Sequence, residues 1–203
     1  MNYSELSTAI QDYLQDADTT FVTHIPDFVR QTEERIFRRV IIPDLRKTHT
    51  TALASGTATY AKPSDYLSTF DFAVVNGSGS YFFLLPKDAA FMREAYPDPT
   101  TSGFPLYYAE SNTTNMLLAP TPDANYSVEW NYYYDPESIV TASTTWLGDN
   151  AESALLYGCL AEGYRYLKGD GDMMALYDGK FQEALQDLER LGMVMKRTDT
   201  YRE

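Results

Sequence analysis

Residues 144–191 read TTWLGDNAESALLYGCLAEGYRYLKGDGDMMALYDGKFQEALQDLERL, two helical apolar patterns separated by a glycine-rich break. Asp149 or Asn150 is placed to cap the first helix, because a short side-chain oxygen accepts hydrogen bonds from backbone N–H groups left free in an opening turn. Ala151, Leu155, Cys159 and Tyr164, with Leu156, Leu160 and Leu167 beside them, recur near helical spacing. So broad an apolar face predicts a helix buried on more than one side. Gly169-Asp170-Gly171-Asp172 breaks it and starts a second helix, where Met173, Leu176, Tyr177, Phe181, Ala184, Leu185, Leu188 and Leu191 repeat the pattern. A helical hairpin results, and it carries no residue set suited to covalent chemistry.

Outward from the hairpin, the N-terminal residues also read as helix. Ser4 or Asn2 opens a segment carrying Leu6, Ile10, Tyr13 and Leu14, which fades at the polar residues 16–20. Pro26 suits the first turn of a second helix, where its missing N–H has no partner to lose. Phe28, Val29, Ile36 and Val40 share one face of that helix, and Arg30, Glu34, Arg35, Arg38 and Arg39 lie on others. After Pro43 the composition turns to Thr, Tyr, Ala, Ser and Pro with frequent turn signals, which predicts short antiparallel strands. Residues 48–54 and 57–61 flank Ser55-Gly56, and 69–75 and 81–85 flank Asn76-Gly77-Ser78-Gly79, a hairpin signal because Asn and Gly accept positive φ. A short helix over 87–96 with Ala90, Phe91 and Ala95 inward precedes strands at 106–110, 115–119 and 126–134. In the last strand Tyr126, Val128, Trp130 and Tyr132 alternate with Ser127, Glu129, Asn131 and Tyr133. The predicted class is α+β: a helical bundle from N- and C-terminal helices (1–47 and 141–192) around a β-rich antiparallel insertion (48–140), with a tail at 193–203.

The chain has 203 residues, 44% hydrophobic and 22% charged, enough for one substantial core. No run of about 18 apolar residues exists and the first residues lack a basic start and an apolar signal core, so neither a spanning helix nor export is expected. Cys159, the single cysteine, excludes an internal disulfide and reads as a buried thiol on an apolar face. The net charge of −13 is uneven: across 26–47 six basic side chains (Arg30, Arg35, Arg38, Arg39, Arg46, Lys47) face four acidic ones, whereas 48–195 holds seven basic against nineteen acidic. Phosphate is repelled by such a surface, so DNA is not expected as a tightly held ligand. The same repulsion suits the wall of a conduit through which DNA must slide.

Reactive constellations are not visible. His24 and His49 are the two histidines and neither has Cys or carboxylate beside it at ligand spacing, so no metal is expected. Asp170-Gly171-Asp172 lacks the closing glutamate of a calcium loop. There is no nucleophile elbow, P-loop or dinucleotide glycine series, so no catalytic residue and no cofactor is expected. Asp123, Glu129, Asp135 and Glu137 among aromatic residues raise glycoside hydrolysis, but acidic residues at strand ends are ordinary solvated positions. The arginine cluster has two open readings: a solvated helix face, with Glu34 and Arg38 paired four apart, or a surface meeting the acidic side of a neighbouring subunit. Seventeen tyrosines, many at 107–108, 126 and 132–134, suit a face buried against another polypeptide and wet at its rim.

The hairpin, together with IPDFVRQTEERIFRRVIIPDLR at 25–46 and LLPKDAAFMREAYPDPTTSGFPLYYAE at 84–110, resembles the head-to-tail adaptor (portal-tail connector) proteins of tailed, podovirus-like bacteriophages over residues 3–191. The resemblance implies a virion protein made in the bacterial cytoplasm: a homo-oligomeric ring, a dodecamer, placed at the head-tail junction between portal protein and tail or nozzle protein. DNA would pass through it without specific binding, and no membrane would be involved. Subunit contacts would fall to Arg30, Arg35, Arg38, Arg39, Tyr132 and Tyr134. Portal binding would fall to the tail MKRTDTYRE, through Lys196, Arg197, Tyr201 and Arg202. Two other classes stay open: a carbohydrate-binding or tail-fibre-like module using the aromatic strands as a sugar platform, and a helical-repeat scaffold holding a peptide.

Overall fold

The computed structural model describes residues 1–40, 42 and 45–195. The chain opens with helices α1 (Tyr3–Leu14) and α2 (Thr19–Arg39). Strands β1 (Arg46–Leu53), β2 (Thr59–Ala61), β3 (Tyr66–Val75), β4 (Tyr81–Phe83) and β5 (Leu85–Pro86) follow. Helix α3 (Ala89–Ala95) precedes β6 (Ser102–Gly103), β7 (Tyr107–Glu110), β8 (Asn115–Ala119), β9 (Thr121–Pro122) and β10 (Tyr126–Tyr134). Helices α4 (Ile139–Ala142), α5 (Trp146–Asn150), α6 (Glu152–Tyr166) and α7 (Gly171–Met195) close the chain. They group into two compact units, one formed by Met1–Asp44 with Pro136–Glu203 and the other by Leu45–Asp135. The class is α+β, with helices at both ends and a strand-rich middle, as the composition shift after Pro43 predicted. Arg46 and Lys47, read as the end of the helical segment, are instead the first residues of β1.

The helical unit starts from a capping box: Asn2 Oδ1 accepts from Glu5 N at 2.9 Å while Glu5 Oε2 accepts from Asn2 N at 2.9 Å. Helix α2 begins earlier than Pro26 suggested. Asp18 caps it by accepting from Thr20 N at 3.0 Å, which leaves Pro26 inside the helix. Pro26 cannot donate the hydrogen bond of that position, and Phe21 and Ile25 before it are both buried. Helix α6 is buried from Ala154 to Gly163 save at Tyr157, more than one face of a helix, as its broad apolar pattern required. Its cap differs from the expectation: Thr145 Oγ1 accepts from Gly148 N to cap the short α5, and Ala151, with no side-chain acceptor, precedes α6. Neither Asp149 nor Asn150 caps. The bend before α7 also differs, because Lys168, not a glycine, holds the left-handed conformation at φ +52°. Gly169 serves there by size, since a Cβ on it would lie 2.3 Å from the Tyr164 ring.

Close approach organises this bundle. A Cβ on Gly158 of α6 would meet Thr32 Cγ2 of α2 at 2.3 Å and Phe181 Cε2 of α7 at 2.9 Å, and one on Gly163 would meet Leu14 Cδ1 of α1 at 2.7 Å. Leu6, Ile10, Ile25, Val29, Leu155, Cys159 and Leu160 pack around those crossings. Arg165 clamps α6 to α7, donating to Asp178 Oδ1 at 2.6 Å and to Glu162 Oε1 at 2.8 Å. Glu33 of α2 is buried and accepts from Ile139 N at 2.9 Å, holding the first turn of α4. Burial raises its pKa above the ordinary carboxyl value, opposed by the Ile139 and Ser138 hydrogen bonds.

In the second unit, β10 is the centre of a sheet ordered β1-β10-β3-β4, and a second sheet runs β2-β8-β7-β5. The predicted hairpin forms between β3 and β4, Val75 opposite Tyr81, with Asn76 Oδ1 accepting from Ser78 N and Ser80 N and Gly79 at φ +82°. Strands β1 and β2, which flank Ser55-Gly56, go to different sheets. Two two-residue pairings are parallel, β5 with β7 and β6 with β9. Val128, Trp130 and Tyr132 point inward from β10 against Phe72, Val74, Tyr108, Met116 and Leu118. Trp130 Nε1 donates to Thr69 Oγ1 at 3.1 Å, and the Phe72 and Tyr108 rings stack at 5.7 Å. Met92 is the buried residue of α3, whereas Ala90, Phe91 and Ala95, expected inward, are exposed. The register of β1 on β10 sets Arg46 opposite Tyr133.

Gly158→Ala should lower unfolding stability by about 1–3 kcal/mol through overpacking. Gly179→Ala, at an exposed α7 position with nothing within 4 Å, should raise it by about 0.5–1 kcal/mol, both read by urea melts. For Glu33, a raised folded pKa means that its stabilising share is present below the ordinary value and is lost as pH rises through the folded one. Glu33→Gln keeps an acceptor for Ile139 N–H and removes the charge. Its Tm relative to the parent should therefore climb as pH rises above the ordinary glutamate value of about 4.3.

Candidate assembly surfaces

Each arginine singled out on α2 has a carboxylate neighbour within the chain. Arg38 pairs with Glu34 along the helix, and Arg30 lies 3.5 Å from Asp27. Arg35 pairs with Glu162 of α6, the carboxylate that also takes Arg165. Arg39 donates to Glu189 at 2.6 Å and to Gln182 at 2.5 Å, both on α7. The cluster therefore divides in function. Arg35 and Arg39 tie α2 to the closing helices, while Arg30 and Arg38 belong to the exposed stripe, where such pairs contribute about 0–1 kcal/mol.

The tyrosines divide in the same way. Tyr132 is 4% exposed and donates to Asp65 Oδ1 at 2.8 Å, and burial pushes its phenol up to about 12. It fills the core of its own unit, which corrects its assignment to a subunit contact: the strand alternation that predicted its inward direction leaves no ring to offer. Tyr134 is half-buried with Lys47 Nζ 4.1 Å from its ring centre. Lys47 also donates to Asp65 and holds that carboxyl below its ordinary range. A sugar platform on β10 loses its aromatic faces for the same reason, since Trp130 is 1% exposed.

Sequence reading missed an apolar edge in the second unit. Over residues 81–86 both sheets end, β4 at the rim of one and β5 at the rim of the other, and only Leu84 turns inward. Tyr81, Phe82, Phe83 and Leu85 are 45–57% exposed, with Leu106 at 49%. Phe82 meets Phe104 edge-on at 5.0 Å, and Tyr81 donates to Glu129 Oε2 at 3.1 Å. An exposed apolar rim on sheet edges marks an interaction surface, because water leaves it unfavourably solvated and edges template association. The run YFFLLP was a usable signal: six residues with no charge next to a hairpin turn.

The reactive candidates are explained by structure. Cys159 is fully buried and its thiol is pushed up to about 12 by burial, which makes it inert. His24 lies 3.4 Å from Asp27 and against Tyr166, and His49 stands edge-on to Trp130. No group of three metal-ligating side chains occurs among the described residues. Asp170 Oδ1 accepts from Asp172 N at 3.0 Å, a turn contact at the start of α7. Lys196, Arg197, Tyr201 and Arg202 lie outside the described residues.

An all-helix scaffold with glycine crossings, an inserted sheet pair and an apolar rim suits assembly, and the SU10 adaptor protein family model matches residues 1–202. The chain belongs to the SU10 adaptor protein family. That membership bears out the adaptor resemblance read from the hairpin and its two companion stretches, and it gives the SU10 adaptor a structural role. No curated protein matches the chain. Among solved structures, the chain is similar to one titled "Neck of empty GTA particle computed with C6 symmetry", at 14% identity over 81% of this chain and 79% of that one, with a TM-score of 0.28.

Replacing Phe83 and Leu85 together by serine should cut fluorescence of a bound apolar dye such as ANS. Unfolding stability should stay within about 0.5 kcal/mol, as expected for exposed positions.

Proposed function

We propose that this SU10 adaptor forms a ring between the portal vertex of a phage head and its tail, continuing the channel through which DNA leaves. The apolar rim at Tyr81, Phe82, Phe83 and Leu85 carries the reading: four large side chains at two sheet edges are 45–57% exposed, and an apolar edge of that kind suits burial against another polypeptide. Family membership over 1–202 supplies the adaptor role. In this reading twelve copies follow the portal, and the α2 arginines and Tyr134 lie at or near the boundaries between them. Lys196, Arg197, Tyr201 and Arg202 dock on the portal by charge-assisted and aromatic contacts. The acidic excess repels the genome and lets it slide, and the protein acts in the virion without catalysis or cofactor.

Electron microscopy of the protein mixed with the portal of the same phage tests this. Rings capping the portal are expected. Removing 196–203 should weaken attachment at least tenfold with Tm unchanged, and the Phe83→Ser/Leu85→Ser variant should form incomplete rings or fail to bind the tail protein. A protein that ignores both portal and tail protein would end the reading.

A further inference from the structure

The helical unit carries a groove against α7. It has a volume of about 370 Å³ and lies between the start of α6 and the second half of α7. Ala184, Leu188 and Leu191 line it with apolar surface, and the exposed carboxylates of Asp149, Glu152 and Asp187 line it too. Leu191 is an exposed large apolar residue, 41% accessible. The Met1 ammonium lies 3.8 Å from Glu152, and Arg190 lies 3.3 Å from Asp187 in a pair that is three-quarters exposed on both sides. Asp149 has no ion pair among the described residues. A groove lined by both apolar side chains and carboxylates fits a long side chain that has an aliphatic stem and a cationic head.

The exposed stripe of α2 offers such side chains. Arg30, Glu34 and Arg38 succeed each other at four-residue steps, and Arg38 is 77% exposed. Its place in the unit matters. Gln182 and Glu189, which take Arg39, lie about 160° around α7 from the centre of the groove-lining residues at 3.6 residues per turn. The arginine-bearing helix and the acidic groove therefore flank α7 on opposite sides. Two complementary surfaces on opposite sides of one subunit make a head-to-tail contact, and head-to-tail contacts close into rings.

We propose that the groove receives the Arg30–Arg38 stripe of α2 from a second copy of this chain, with Arg38 set over Leu191 and its guanidinium between Asp187 and Asp149. The inference rests on the ring reading above and names the contact between neighbours.

Cross-linking tests it on the full chain. Arg38→Cys and Asp187→Cys chains are prepared separately, mixed under conditions where the parent sediments as an oligomer, and treated with a short bis-maleimide. Cys159 is fully buried and stays silent. A heterodimeric product is expected from the mixture and from neither variant alone. Arg38→Glu or Asp187→Lys should each weaken assembly about tenfold, and mixing the two substitutions in one chain should restore it. Oligomers without the cross-link, or a cross-link from Asp187→Cys to Arg197→Cys instead, would overturn the groove contact and leave the ring standing. A parent chain that never associates, alone or on the portal, would overturn both.

Discussion

At Gly158 the backbone of α6 passes so near α2 and α7 that an added methyl would sit 2.3 Å from Thr32 and 2.9 Å from Phe181. That approach sets the spacing of the helical unit. With α6 in contact with α2 and α7 at one glycine and with α1 at another, its flanking leucines reach neighbours on several sides, and burial along nearly its whole length follows. The ionic contacts then fall into place as consequences. Arg35, Arg165 and Glu162 meet because α2 and α6 are close, and Arg39 reaches Glu189 because α7 runs beside them. Dispersion and desolvation hold this core, and the charges at its edge follow from the packing and add little.

The strand unit obeys a different constraint. A sheet must bury one face and manage its edges. Here β10 lies between β1 and β3, Trp130 and Tyr132 close the core with Phe72 and Tyr108, and the edges differ in kind. The β1 edge begins with Arg46 and Lys47, both engaged with aromatic rings of the same unit. The β4 and β5 edges carry Tyr81, Phe82, Phe83 and Leu85 instead. One edge is kept polar, the other greasy, and an assembly protein has use for the second.

Much of this was legible from periodicity. The hairpin of α6 and α7, the Asn2 cap, the β3–β4 turn and the inward face of β10 follow from local rules that tertiary packing did not override. Pro26 misled because Asp18 caps α2 more than a turn upstream and leaves the proline inside the helix. Asp149 and Asn150 misled because Thr145 opened a short extra helix first. Alternation placed Tyr132 on the core side correctly, while its assignment to an interface came from tyrosine abundance, which carries no direction. In α3, Met92 displaced the smaller alanines as the inward residue because the second sheet offers it Ala109, Leu117 and Ala119. The apolar rim went unread since edge and centre strands look alike until pairing order is known.

The antiparallel pairing of β1 with β10 brings residue 46 opposite residue 133, so the two ends of the strand unit lie side by side, at the spacing of about 5 Å between neighbouring strands. A segment with its two ends side by side can be exchanged as a cassette. Such a segment can be lengthened or trimmed between its fixed ends without moving them.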